Sequence, residues 1–134
     1  MITNTLSRTG RVVFTAPPPG LSPVVDFELD AVEGADGLYA MRDTVGADLR
    51  LFLLDPAFFV PEYQPQLTDE HLAPLGAEHP QQVDVYVVAT LSDGAPVVNL
   101  LAPILVHPGT HAAIQVILDG ADWPLQAELV SPEA

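Results

Sequence analysis

Residues 83–118 read VDVYVVATLSDGAPVVNLLAPILVHPGTHAAIQVIL, and this stretch determines the fold class. Short runs rich in valine, isoleucine and leucine alternate with Ser92-Asp93-Gly94 and His107-Pro108-Gly109, which are typical turn sequences. The pattern predicts a meander of three strands over residues 83–91, 97–106 and 112–118. Proline cannot donate to a β-ladder, so Pro103 inside the second run predicts an edge, a bulge or a barrel corner.

The rest of the chain is broken into similar short runs by its 14 prolines and 9 glycines. One short helix is predicted over residues 68–75, with Thr68 as N-cap and Gly76 at the C-terminal end. We expect an all-β fold, a small closed or partly closed β-barrel of short antiparallel strands with one short helix, in a single domain over residues 1–134. The further predicted strands cover residues 11–14, 24–30, 38–42, 49–54 and 125–130.

The charge of the chain is one-sided, with 18 acidic residues against 4 basic ones and a net charge of −14. All four basic residues are arginines, and none lies beyond Arg50. This excess repels nucleic acids and anionic membranes and attracts basic protein surfaces, so we expect no direct nucleic-acid or membrane partner. The absence of cysteine excludes disulfides and thiolate sites but leaves the redox compartment open. The N-terminus lacks a signal-peptide pattern and no apolar run is long enough to span a membrane, so a cytoplasmic location is expected.

Three stretches resemble the FliW family of flagellar assembly factors. They are LFLLDPAFFVPEYQPQL at residues 51–67, NLLAPILV at residues 99–106 and QVIL at residues 115–118. Each motif is weak alone, but the three occur in the family's order and spacing. The chain departs from the family pattern at residues 40–43 and 107–113, where contact surfaces tend to lie.

The resemblance implies a protein-binding function without catalysis or cofactor. Members of the family bind CsrA, a small basic RNA-binding regulator, and relieve its repression of flagellin mRNA; they also bind flagellin, which competes for them. The implied mechanism is a partner switch, with the protein a monomer when free. The charge of the chain is consistent with a basic partner.

Protein-binding residues are expected in three regions. Asp26, Glu28 and Asp30 alternate along one predicted strand and form a comb of carboxylates; the alternative is an ordinary solvated strand face. An exposed ring among Phe58, Phe59 and Tyr63 is a candidate docking element, and its alternative is core packing. The other candidates are Pro61, Glu62, Asn99 and Pro103 from the resemblance, together with Asp69 and Glu70 at the start of the predicted helix.

The competing hypothesis is a small acidic metal-binding or hydrolytic barrel that uses His107, His111 and Asp119; a third is a solubility or structural module with no dedicated partner. The two histidines are four residues apart, but Pro108-Gly109 between them favours an exposed turn over a helix face. No glycine-framed serine is present, so no catalytic residue is predicted.

Overall fold

The computed structural model describes residues 10–18, 21–46, 48–60, 63–92, 95–118, 123 and 127–128. Eight strands lie within these ranges and form one sheet. They are β1 (Gly10–Phe14), β2 (Asp26–Ala31), β3 (Leu38–Asp43), β4 (Arg50–Leu54), β5 (Asp84–Ser92), β6 (Ala95–Val106), β7 (Ala112–Gln115) and β8 (Ala127–Glu128).

The sheet closes on itself as a barrel of seven strands. Its order is β5-β4-β3-β2-β1-β7-β6, and β6 pairs with β5 to complete the ring, while β8 adds to the outer edge of β6. The predicted all-β barrel and its three-strand meander are therefore confirmed. One detail of the prediction is wrong: β1 and β7 run parallel, although every other pair is antiparallel.

Two hydrophobic clusters form because neighbouring residues of a strand point to opposite faces of the sheet. Leu53, Tyr86 and Ile104 lie inside the barrel with side chains from all the other ring strands. Leu54 and Leu105 point outward into a second cluster, which residues of the 60–83 segment cover. The barrel is thus covered on one outer side and open on the other.

The covering segment contains the helices. The predicted helix is confirmed as α2 (Asp69–Leu72) followed by a 3-10 turn (Ala73–Leu75); Thr68 caps it and Gly76 ends it in the left-handed conformation. A helix that the sequence reading missed, α1 (Pro56–Phe59), follows β4 directly, and a further 3-10 turn spans Pro80–Gln82. Within the described ranges, no helix has the length and apolar character needed to cross a bilayer.

Strand β6 contains a large bulge at Pro103, which is one of the three alternatives that the position of this proline predicted. Tyr86 pairs with Ile104 and Val88 pairs with Asn99, so one residue of β5 faces four residues of β6. The strand therefore bends here. Before the bulge β6 pairs with β5 and β8, and beyond it with β5 and β7.

Candidate protein-binding surface

The open outer face of the barrel carries a row of charges across four strands. The pairing register places Arg11, Glu28, Arg42 and Arg50 directly opposite one another on β1 to β4, and all four are exposed. Directly opposite residues lie on the same face of a sheet, so these side chains are neighbours. Three of the four arginines of the chain are therefore concentrated here.

The predicted carboxylate comb lies on this face and is largely neutralised. The Arg11 guanidinium forms an ion pair with Asp26 and donates from Nε to Oδ1 at 2.8 Å. The Arg42 guanidinium pairs with Asp30 at 3.3 Å. The hydrogen bond from Arg11 lowers the pKa of the Asp26 carboxyl below its usual value. The comb is an alternating surface of both signs rather than a bare anionic one.

An apolar groove adjoins this charged row. Its volume is about 420 Å³, and it runs over the outer faces of β3 to β6 beside α1. Phe52 on β4 lines the groove and is 39% exposed. The groove is lined chiefly by Leu38, Phe52, Leu54, Phe59, Ala89 and Pro96.

Two further phenylalanines at this surface are held by α1. Asp55 caps the helix, and its carboxylate accepts from the Ala57 amide at 3.0 Å. Phe58 is 58% exposed and Phe59 is 37% exposed. Of the three aromatic residues considered from the sequence, Phe58 and Phe59 are therefore exposed to solvent, and Tyr63 is buried.

A glycine fixes the position of Phe58. Gly37 has φ +84°, and a Cβ built on it would lie 2.8 Å from the Phe58 Cγ. The Gly37 carbonyl also accepts from the Asp55 amide at 2.8 Å. The exposed ring is thus packed against the backbone of the β2–β3 connection, which needs glycine both for its conformation and for space.

The two NLLAP residues singled out from sequence, Asn99 and Pro103, belong to the β6 bulge. Asn99 Oδ1 accepts from the Leu101 and Ala102 amides, at 3.0 Å each. Pro103 is fully buried, and it has no amide that the irregular backbone would have to satisfy. The geometry of both residues supports the bulge itself.

Tyr63 and β7 satisfy the carbonyls of the same bulge. The Tyr63 hydroxyl donates to the Leu100 carbonyl at 2.6 Å, and burial raises the pKa of this phenol. Its ring packs edge-on against Trp123, with centroids 4.7 Å apart. The Gln115 side-chain amide donates to the Ala102 carbonyl at 2.9 Å, a role that sequence reasoning missed.

The remaining candidates lie elsewhere. Asp69 and Glu70 are exposed in the first turn of α2, whose Leu72 packs into the outer hydrophobic cluster on the covered side of the barrel. The Thr68 amide donates to the His71 Nδ1 at 3.1 Å, so that ring completes the cap as an acceptor. Pro61 and Glu62 lie outside the described residues.

The histidine pair of the competing hypothesis has a structural role in its turn. His107 Nδ1 accepts from the Gly109 amide at 3.0 Å, and His111 has φ +68° with its amide bound to the His107 carbonyl. Asp119 lies outside the described residues. Within the described part of the chain, no three His, Cys, Asp or Glu side chains are grouped as a metal site.

The chain is similar in sequence to proteins of one family. A family model described as FliW protein matches residues 3–129. The flagellar assembly factor FliW of Desulfitobacterium hafniense (strain Y51) is 33% identical over 93 residues, which span 68% of this chain and 61% of that protein. The protein of the same name from Shouchella clausii (strain KSM-K16) is 28% identical over 120 residues, or 88% of this chain and 82% of that protein.

The fold also matches a solved structure. A crystal structure of the flagellar assembly factor FliW superposes with a TM-score of 0.82 at 25% identity. The match covers 93% of this chain and 89% of the other.

Proposed function

Because this chain belongs to the FliW family of flagellar assembly factors, we propose that it acts without catalysis, by binding CsrA and flagellin in a partner switch. When flagellin is exported, the released factor takes up CsrA, and flagellin mRNA is relieved of repression. The protein works as a monomer in the cytoplasm and contacts neither nucleic acid nor membrane itself.

The observation that carries the proposal is the separation of charge on the described surface. Arg11, Arg42 and Arg50 are gathered on the outer face of β1 to β4. Among the described residues, the Asp69 and Glu70 carboxylates of α2 form no ion pair with an arginine. A basic RNA-binding protein would be attracted to that anionic side, where RNA itself is repelled.

Asp69 and Glu70 are the preferred contact residues on this reasoning. Both are exposed, whereas Asp26 and Asp30 of the β2 comb are already engaged by Arg11 and Arg42. A partner arginine gains little from a carboxylate that it must share. We therefore assign the comb a smaller part in recognising CsrA than the start of α2.

Two matched neutralisations test this assignment. The variant with Asp69→Asn and Glu70→Gln changes the net charge by the same amount as the variant with Asp26→Asn and Asp30→Asn. Stopped-flow mixing with purified CsrA should show an association rate lowered about tenfold by the first variant and much less by the second. The wild-type rate should also fall steeply as salt rises beyond about 0.15 M.

Calorimetry with CsrA and with flagellin from the same organism tests the partner switch itself. Each protein should bind, and prior saturation with flagellin should reduce binding of CsrA. Absence of heat with both proteins would refute the proposal. Heat with zinc at micromolar affinity, in place of either protein, would support the metal-binding hypothesis.

A further inference from the structure

The apolar groove is a surface that the folded domain itself does not explain. Six large hydrophobic side chains of the described residues are exposed, and Phe52, Phe58 and Phe59 are three of them. All three lie on or beside the groove, whereas Val13, Val45 and Ile117 lie elsewhere on the chain. Gathered exposed aromatic side chains mark interaction sites more often than scattered ones do.

The surface is held in one arrangement before any partner arrives. The Asp55 cap and Pro56 begin α1 directly at the end of β4, and Gly37 receives the Phe58 ring. Phe52 and Ala89 are directly opposite residues of β4 and β5, so the sheet sets their spacing. A rigid apolar surface of this kind loses little conformational entropy on binding.

Arg50 lies over Phe52 of the groove and, within the described ranges, has no carboxylate in an ion pair. The Arg50 guanidinium carbon is 5.2 Å from the centroid of the Phe52 ring. The residue directly opposite Arg50 on β3 is Arg42, which is also a cation. The Arg42 guanidinium pairs with Asp30. Among the described residues Arg50 forms no ion pair, although the chain carries 18 acidic residues.

We propose that this groove docks a segment of a protein partner that has an apolar ridge and a carboxylate at one end. The apolar side chains fill the groove over Phe52 and Phe59, and the carboxylate pairs with Arg50 in the bidentate geometry that arginine favours. This docking inference rests on the proposed function because its occupant is a protein partner. It adds to the proposed function a second kind of contact, since the docked segment carries an acidic group, whereas CsrA is basic.

Fluorescence anisotropy with two labelled peptides tests the groove. Both peptides carry leucines along one helical face; one ends in two glutamates and the other in two lysines. The glutamate peptide should bind the wild-type protein about tenfold more tightly, which corresponds to about 1.4 kcal/mol. Arg50→Glu should reverse this preference, and equal binding of both peptides to the wild type would overturn the proposal.

A matched pair of truncations locates the site. Phe52→Ala should weaken the glutamate peptide about tenfold. Val13 lies on the same outer face of the sheet and is 38% exposed, compared with 39% for Phe52. Val13→Ala should leave the affinity for the glutamate peptide unchanged. Trp123 fluorescence confirms that each variant is folded. Equal losses in the two variants would overturn the proposal. A wild-type dimer in sedimentation that Phe52→Ala dissociates and Val13→Ala does not would also overturn it, because a second copy would then cover the groove.

The failure of this inference can be distinguished from failure of the proposed function. CsrA and flagellin are titrated into the wild type and into the Arg50→Glu variant. Binding of the glutamate peptide without binding of either protein refutes the partner switch and leaves the docking inference supported. Binding of the two proteins without any peptide preference overturns the docking inference alone.

Discussion

Replacing Asn99 by alanine removes the acceptor that holds the β6 bulge. Two backbone amides, those of Leu101 and Ala102, then lose their 3.0 Å hydrogen bonds to Oδ1. At about 1 kcal/mol for each lost bond, the free energy of unfolding should fall by about 2 kcal/mol. For a chain of 134 residues this corresponds to a decrease in Tm of roughly 7 °C.

Thermal unfolding followed by the fluorescence of Trp123 is a suitable assay. This side chain is the single tryptophan of the chain and packs on Tyr63, which itself binds the bulge. The matched control is Asn99→Asp, which keeps a side-chain oxygen as acceptor and strengthens it by charge. Its Tm should remain within about 4 °C of the wild type.

The result also separates the two roles considered for Asn99. If the residue supports the bulge, Asn99→Ala lowers stability, and any loss of partner binding follows the loss of fold. An unchanged Tm together with lost binding of CsrA or flagellin would refute the structural reasoning. It would then identify Asn99 as a direct partner contact, as the family resemblance implied.

Three other predictions concern single contacts. Tyr63→Phe leaves the Leu100 carbonyl without its donor in the core, so it should cost about 1–3 kcal/mol in urea unfolding. Gly37→Ala combines a left-handed φ with a clash, so it should cost more than Gly34→Ala, where φ is similar but the space is open. The folded-state pKa of Asp26 is lowered from 3.8, so its contribution to stability is present above that value and is lost as pH falls through the folded-state pKa. Arg11→Ala should raise this pKa towards its ordinary value in a carboxyl NMR titration.

Each of these has a contradicting outcome. A Tyr63→Phe variant as stable as the wild type would mean that water or another donor satisfies the bulge carbonyl. Equal costs for Gly37→Ala and Gly34→Ala would remove the role of glycine in seating the Phe58 ring. An unaltered Asp26 titration in Arg11→Ala would show that the ion pair does not persist in solution.

Local patterns were sufficient to predict most of the architecture. Alternation in β2 grouped Asp26, Glu28 and Asp30 on one face, and the structure buries Phe27 and Leu29 on the other; Thr68 and Gly76 bound the predicted helix as expected. The helix α1 was missed although Asp55-Pro56 is a typical N-cap and first-turn pair, because the same residues also end a strand. The parallel pairing of β1 with β7 joins distant parts of the chain, and no local signal indicates it.

The candidate site was predictable only in part. Alternation identified the β2 carboxylates, but the arginines that pair with them come from β1 and β3 and depend on the register of the folded sheet. Similarly, the family resemblance singled out the motifs that contain Asn99, Pro103 and Gln115, but it did not reveal that all three residues serve one bulge. Arg50 and Phe52 alternate on β4, a signal that could have indicated an exposed apolar and cationic face.

The bulge in β6 limits how sequences of this fold can diverge. Its polar groups are satisfied by side chains from three separate segments, contributed by Tyr63, Asn99 and Gln115. Loss of one leaves a buried group without compensation from the others, so these residues must be retained together, whereas intervening loops are free to lengthen or shorten. Substitutions should therefore accumulate in the connecting loops and on the outer face of the sheet, while the residues that hold the β6 bulge stay constant.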